Sequence, residues 1–269
     1  MGRVQDKVVW ITGASSGIGL EMARQLSARG SKLILSARRL DVLEKIKSEL
    51  KNPVDVLILP LDLTKPEGFE DAISQAFSRF GKIDLLFNNA GISQRSYVID
   101  TDISVDRQIM EVNYFGTIAL TKAILPRMLA QGGGHFAVVT SLTGKFGFGV
   151  RSAYAASKHA LHGFFESLYI ELQDKGIRVT LICPGPVKTP ISINALDGSG
   201  KATGIMDEMQ EKGMPVDKAV KAIIQGIEND KREVIIGNFK SHLAVKLKAF
   251  LPGVFLRMAI RQNPRGAVK

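Results

Sequence analysis

A tyrosine and a lysine four residues apart, Tyr154 and Lys158 in Ser152-Ala153-Tyr154-Ala155-Ala156-Ser157-Lys158, can carry proton-transfer chemistry if they share a helix face. At ~3.6 residues per turn, positions i and i+4 lie about 40° apart. A free phenol titrates near ~10 and is a poor proton donor at neutral pH. A nearby ammonium favours the phenolate and lowers that value. The pair is then suited to giving a proton to, or taking one from, a carbinol or carbonyl oxygen. Ser141 stands thirteen residues before the tyrosine, at the end of an apolar run. A plain surface pair on an amphipathic helix has the same spacing, so the pair alone does not decide.

A second group of residues can bind phosphate. Val8-Val9-Trp10-Ile11 reads as a buried strand and runs into Thr12-Gly13-Ala14-Ser15-Ser16-Gly17-Ile18-Gly19. A helical pattern follows at Leu20, Met22, Ala23 and Leu26. Strand, glycine-rich turn and helix N-terminus together present backbone N–H groups and a positive helix end to an anion. The spacing Gly13-x3-Gly17-x-Gly19 departs from G-x-G-x-x-G, and its strand-to-helix context is what gives it weight.

With Asn88-Asn89-Ala90-Gly91, Asn113 and Pro184-Gly185 added, the order and spacing resemble the short-chain dehydrogenases/reductases over roughly residues 5–237. Within that family the chain is most similar to the branch of dehydrogenase/reductase member 7-like and 11β-hydroxysteroid-dehydrogenase-like enzymes. The resemblance implies hydride transfer between a nicotinamide and a carbonyl or alcohol carbon. Tyr154 would be the general acid or base. Lys158 would lower its pKa and bind the nicotinamide ribose. Ser141 would donate to the substrate oxygen, and Asn113 would hold a proton-relay water. Gly13, Ser15, Ser16, Gly17, Ile18 and Gly19 would cradle the dinucleotide. Asn89, Ala90 and Gly91 would wall its adenosine side, and Asp62 and Leu63 would border adenine. Pro184, Gly185, Val187 and Thr189 would hold the nicotinamide amide and pyrophosphate. Asp62 reads equally as a turn or N-cap residue before Thr64-Lys65-Pro66-Glu67.

Cofactor choice is written at the end of the second strand, Leu33-Ile34-Leu35-Ser36-Ala37-Arg38-Arg39. An NAD site places an acid there for the ribose hydroxyls. Here Ala37 takes that place, and Arg38 and Arg39 can pair with a 2′-phosphate. The expectation is NADP(H).

These residues need a scaffold. The chain has 269 residues, 45% of them hydrophobic, enough for one α/β domain. Apolar runs at 8–11, 33–35, 54–59, 85–87, 136–139, 179–182 and 234–236 alternate with helical patterns at 20–29, 40–50, 67–80, 105–130, 154–175 and 216–229. Runs apolar on both faces predict a parallel, doubly wound sheet in three layers. The family implies seven strands in the order 3-2-1-4-5-6-7. The segment from Pro186 to Pro215 is long and glycine-rich, the mark of a functional or mobile loop; in the family it covers the substrate. Phe146, Phe148, Val150, Ile191, Ile193, Leu196, Ile205 and Met206 suggest an apolar ligand. The family favours homodimers or homotetramers through the helices at 105–130 and 154–175.

One cysteine, Cys183, sits in an apolar strand, which points to a reducing compartment, a cytoplasmic location and no catalytic thiol. The first residues lead straight into strand one, leaving no room there for a signal peptide, and Gly2 lacks the context for myristoylation. His135, His159, His162 and His242 are scattered, and no metal site or histidine–serine catalysis is expected. A non-catalytic NADP(H)-sensing or interaction protein on the same fold is the alternative, disfavoured by the intact Asn113/Ser141/Tyr154/Lys158 set. An NAD-dependent sugar epimerase, with its own Tyr-x3-Lys pair, is disfavoured by Arg38 and Arg39.

The tail stands apart. Net charge is +10, and after Glu233 seven basic residues and no acid follow, so the rest carries +3 (10 − 7). Phe239, Leu243, Leu247, Phe250, Leu251, Val254, Phe255 and Met258 fall at helical spacing, interrupted by Pro252-Gly253. Two short basic amphipathic helices over 238–269 are expected, too short and charged to span a bilayer. Three readings stand: packing on the substrate loop, packing on a second subunit, or contact with the anionic inner face of a membrane through 239–269. Nucleic acid is not an expected partner, for the tail lacks interleaved aromatics.

Overall fold

The computed structural model describes residues 4–261. Seven strands form one parallel sheet: β1 Val8–Thr12, β2 Lys32–Ser36, β3 Val56–Ile58, β4 Leu85–Asn88, β5 Gly134–Val139, β6 Ile177–Pro184 and β7 Glu233–Ile236. Their spatial order is β3-β2-β1-β4-β5-β6-β7, as expected. β1 shows why the sheet is buried on both sides. Val9 and Ile11 pack into one core, Val8 and Trp10 into the other, at the period of two that a pleated strand imposes.

The helices divide accordingly. α1 (Gly17–Ala28), α2 (Leu40–Glu49) and α8 (Val216–Glu228) close the first face. α3 (Phe69–Phe80), α5 (Gly116–Ala130) and α6 (Ser152–Leu172) close the second. The remaining helices are α4 (Ile103–Met110), α7 (Glu208–Glu211), α9 (Phe239–Phe250) and α10 (Pro252–Arg261).

Three expectations on the elements change in detail. β3 is shorter than the run 54–59, because Pro53–Asp55 makes a 3-10 turn ahead of it. The helix expected over 105–130 is two helices joined by a π-helical stretch, Glu111–Phe115, centred on Asn113. An extra residue per turn lets a polar side chain point inward without ending the helix. The tail helices meet at Leu251, with Pro252 opening the second, where its missing N–H costs no helical bond.

The segment 186–215 is pinned at both ends and in the middle. Lys188 N–H donates to Met214 O, and Met214 N–H to Pro186 O. Leu196 bridges to Gln94 and Ala202. In the tail hairpin Phe255 packs on Leu142 and Phe146, its ring 4.8 Å from that of Phe146, with Ile235 alongside. Residues 1–3 and 262–269, including Gly2, Arg265 and Lys269, lie outside the described residues.

Candidate active site

The site forms where the strand order reverses, since β1 has β2 on one side and β4 on the other. Connections that leave in opposite directions open a crevice at the carboxyl ends of the strands. Thr12 organises one wall. Its Oγ1 accepts from the backbone N–H groups of Asn89 and Ala90 at 3.0 and 3.1 Å. Asn89 Nδ2 donates back to Thr12 O at 3.0 Å and Gly13 O at 3.2 Å. The turn 13–19 and the segment 89–91 are thereby one unit. Gly13 has φ +64, and a Cβ there would stand 2.8 Å from Ala90 Cα, so no other residue fits. Ser16 is exposed at the N-cap of α1 with no side-chain cap, leaving the first-turn N–H groups to an anion. Gly17 faces Thr189, and Gln210 Nε2 donates to Thr189 Oγ1 at 3.2 Å and also to Val187 O. The glycine turn and the segment after β6 therefore bound one groove. Gly185 N–H is held by Ile236 O at 2.7 Å.

Arg38 and Arg39 are exposed past the end of β2. Asp62 forms a turn: its Oδ1 accepts from Thr64 N–H at 3.0 Å and from the Thr64 hydroxyl at 2.9 Å. Those bonds, with Arg38 nearby, hold its carboxyl below the usual range. The turn half of its two readings is thus observed. Leu63 is buried against the start of α5.

The proton-handling residues converge. Ser141 caps a 3-10 turn, Leu142–Gly144, and its Oγ accepts from Thr143 N–H at 3.1 Å and from the Thr143 hydroxyl at 3.0 Å. Both its acceptor sites are thus used, and Ser141 works to lower the pKa of the Tyr154 phenol. Lys158 is buried, its Nζ donating to Val139 O at 2.9 Å and standing 5.7 Å from the Tyr154 ring centroid. Asn113 is fully buried. Its Oδ1 accepts from Ile92 N–H at 2.8 Å, and its Nδ2 donates to Ile92 O at 2.9 Å and Ser157 Oγ at 3.0 Å. Between them lies Gly91, where a Cβ would be 3.0 Å from Asn113 Oδ1 and 3.5 Å from Lys158 Nζ.

Burial dominates the titration of this set. Tyr154 is half-buried as a residue, but desolvation of its hydroxyl pushes its pKa up. The groups that oppose this are Arg151, the larger effect, and Ser141. Lys158 is itself pushed down to about 8 by burial, because an enclosed ammonium loses hydration that one carbonyl does not replace.

Sequence reasoning missed Arg151. It occupies the N-cap position of α6, donates to Ser93 Oγ at 2.9 Å and pairs with Asp207 at 3.1 Å. Asp207 also binds Arg95 and caps α7 by accepting from Met209 N–H. One carboxylate thus ties the 186–215 segment to the strand-β4 loop and to the helix that carries Tyr154. Of the apolar set, Leu196 packs on Val105, Ile109 and Ala153, Phe146 packs on Phe255, and Ile205 is exposed. Val150 holds φ +59, a strained backbone for a β-branched residue, one position before Arg151. Cys183 is buried and pushed up to about 12, so its thiol takes no part in the proton transfer proposed for this site. A cavity of about 420 Å³ between Leu63, Pro66 and α5 lies apart from the Ser141–Tyr154–Lys158 set.

The chain matches the short chain dehydrogenase family model over residues 7–199. It is 40% identical over 259 residues to dehydrogenase/reductase SDR family protein 7-like of Drosophila melanogaster, covering 94% of this chain and 79% of that one. It is 43% identical over 253 residues to the human dehydrogenase/reductase SDR family member 7, covering 92% and 75%. Among solved structures, a Burkholderia cenocepacia short chain dehydrogenase in complex with NADP superposes with TM-score 0.78 at 26% identity, covering 95% of this chain and 98% of that one. A Burkholderia phymatum short chain dehydrogenase/reductase in complex with NAD superposes with TM-score 0.82 at 22% identity, covering 100% and 99%.

Proposed function

The chain belongs to the short-chain dehydrogenase/reductase family of oxidoreductases, and from that premise we propose that it is an NADP(H)-dependent enzyme acting on the carbonyl or alcohol group of a lipophilic substrate. The observation that carries this reading is the buried Lys158, its Nζ 5.7 Å from the Tyr154 ring centroid and, with Asn113, against Gly91, in the wall shared with the glycine turn.

When bound, NADP(H) supplies or accepts a hydride at its nicotinamide ring. The rest falls to residues of the chain. The free N–H groups at the start of α1 and the turn 13–19 would hold the pyrophosphate, with Val187 and Thr189 facing them. Arg38 and Arg39 would meet the 2′-phosphate. Ser141 fixes the direction of the phenol and donates to a substrate oxygen as charge grows there. Tyr154 gives that oxygen a proton in reduction and takes it back in oxidation. Lys158, with a pKa of about 8, exchanges a proton near neutral pH, and Asn113 beside it would order a water that links it to solvent.

Two variants test the reading. Tyr154→Phe should lower kcat by about 10²–10⁴-fold against a panel of lipophilic ketones and aldehydes, while NADPH binding, followed by its fluorescence, stays near the parent value. Retained turnover would remove Tyr154 from its role, and NADPH binding without turnover by the parent chain would favour a sensor. Arg38→Asp should shift the NADPH/NADH ratio of kcat/KM by tenfold or more toward NADH, since a carboxylate repels the 2′-phosphate; an unchanged ratio defeats the NADP(H) assignment.

The tail hairpin supports a further part of the reading. α9 and α10 present Phe239, Leu243, Phe250, Val254, Leu256, Met258 and Ile260 to solvent beside Lys240, Lys246, Lys248, Arg257 and Arg261. Contact with an anionic membrane surface suits that combination. No described helix is long and apolar enough to cross a membrane. Self-association as a dimer or tetramer would use α5 and α6, where Phe115, just ahead of α5, and Ile170 are exposed.

A further inference from the structure

Three chemically potent side chains that the proposed reaction leaves unused meet behind the active site. His162 comes from α6, one turn past Lys158. Cys183 comes from β6, directly before Pro184. Glu233 opens β7. Cys183 Sγ is 3.7 Å from His162 Nε2, and one ligand atom from each of the three residues lies within 4.8 Å of the others. We propose that His162, Cys183 and Glu233 form a regulatory site for a borderline-soft divalent metal ion of the zinc type.

The distances fit that ion. Metal–nitrogen and metal–sulfur bonds of about 2.0–2.3 Å in a tetrahedral shell put the two donor atoms about 3.5 Å apart. The His162–Cys183 pair is already near that separation. All three donors sit on regular elements of the sheet and its covering helix, so the separation is fixed by the fold rather than by a loop. Thiolate, imidazole and a single carboxylate favour zinc-like ions, whereas calcium and magnesium require more oxygen ligands.

The surroundings fit as well. His162 Nδ1 has no hydrogen-bond partner, yet Glu166 Oε1 stands 3.6 Å from it, at i+4 on the same helix. A carboxylate on the far nitrogen of a ligating imidazole fixes its tautomer and raises its basicity. Lys145 donates to Glu233 Oε2 at 2.6 Å. Its ammonium acts as a competing cation and must swing away when a metal enters. Lys145 and Glu233 are both partly solvent-exposed, which gives the ion its way in. Binding takes the thiol proton off Cys183 and passes it to solvent.

The position explains why the site would regulate. Lys145 follows the turn that Ser141 caps. Gly144 fits so closely against α6 that a Cβ on it would stand 3.1 Å from Lys158 O and 3.2 Å from His162 Nε2. Drawing His162 toward a metal and releasing Lys145 acts on the two segments that place Ser141 and Lys158, so occupancy should inhibit turnover.

Cobalt(II) titration of the full chain tests the binding without reference to turnover. One equivalent should produce a thiolate-to-cobalt charge-transfer band that zinc(II) abolishes. Cys183→Ser should show no band, and Glu166→Gln should weaken binding by about 10–100-fold. Lys145→Met, which keeps all three ligands and removes the competing cation, should bind at least tenfold more tightly. No band in the parent chain, a band that survives Cys183→Ser, or unchanged affinity in Lys145→Met would each overturn the assignment.

Discussion

Two cations flank Tyr154, Arg151 three residues before it at the N-cap of α6 and Lys158 four after. Lys158 is committed to Val139 O, with its Nζ 5.7 Å from the ring centroid. Arg151 is the stronger influence on the phenol, and it acts in the direction that frees the proton. Removing it should raise the phenol pKa further, because desolvation then acts with less opposition. In alcohol oxidation, where Tyr154 must accept a proton as phenolate, Arg151→Met should move the rising limb of the kcat–pH profile to higher pH. Arg151→Lys should bring it part of the way back. A profile that stays in place in the Met variant would mean that Arg151 serves only to hold Asp207. Tyr154, Lys158 and Ser141 were legible as candidates in the sequence because their spacing is local, and Asn113 only through the family resemblance. Arg151, Asp207 and Gln210 were not. Arg151 and Asp207 meet across more than fifty residues, Gln210 reaches back about twenty to Val187 and Thr189, and no period or turn signal encodes either return.

Elements impose their own conditions on titratable groups. The strands were legible because a sheet covered on both faces demands uninterrupted apolar runs. The π-helical stretch at Asn113 was not, since one extra residue leaves the apolar periodicity on either side intact. His135 on β5 shows what such burial costs. It lies between sheet and helices with Nε2 on Thr180 Oγ1 at 2.9 Å and Nδ1 without a partner. Burial pushes its pKa down to about 3, with Asp230 as the main opposing influence. The unfolded chain protonates this side chain near its ordinary value of 6.5, and the folded chain does not. Above that pH the two states bind equal numbers of protons. As pH falls from 6.5 toward 3, the unfolded state binds more, so stability declines by up to about 1.4 kcal/mol per pH unit. Denaturant unfolding at pH 7 and pH 5 should show this loss, and His135→Gln should flatten the dependence. An equal slope in the variant would show that other groups dominate acid destabilisation.

At the scale of the whole molecule, charge and greasy surface are gathered at one end. Of the net +10, +7 follows Glu233, and the described part of that tail carries its apolar side chains outward. In the hairpin Phe255 is buried, and Val245 and Leu247 pack beside it on the cluster of Leu142 and Phe146. Phe239 and Phe250 are 79% and 81% exposed, so replacing them disturbs little of the folded chain. Transfer of one such ring from water to an apolar phase is worth about 1.5–3 kcal/mol, and each basic residue near an anionic surface adds about 1 kcal/mol. Those magnitudes predict binding that needs both contributions. The full chain should sediment with vesicles containing phosphatidylserine and much less with purely phosphatidylcholine vesicles, and added salt should release it, because screening shortens the reach of the basic residues. Phe239→Ser with Phe250→Ser should weaken vesicle binding at least tenfold while leaving NADPH binding and thermal unfolding unchanged. Equal sedimentation with both lipids, or no difference in the double variant, would turn the exposed face toward a second copy of the chain, and light scattering of the same two proteins would then show the parent as the larger species.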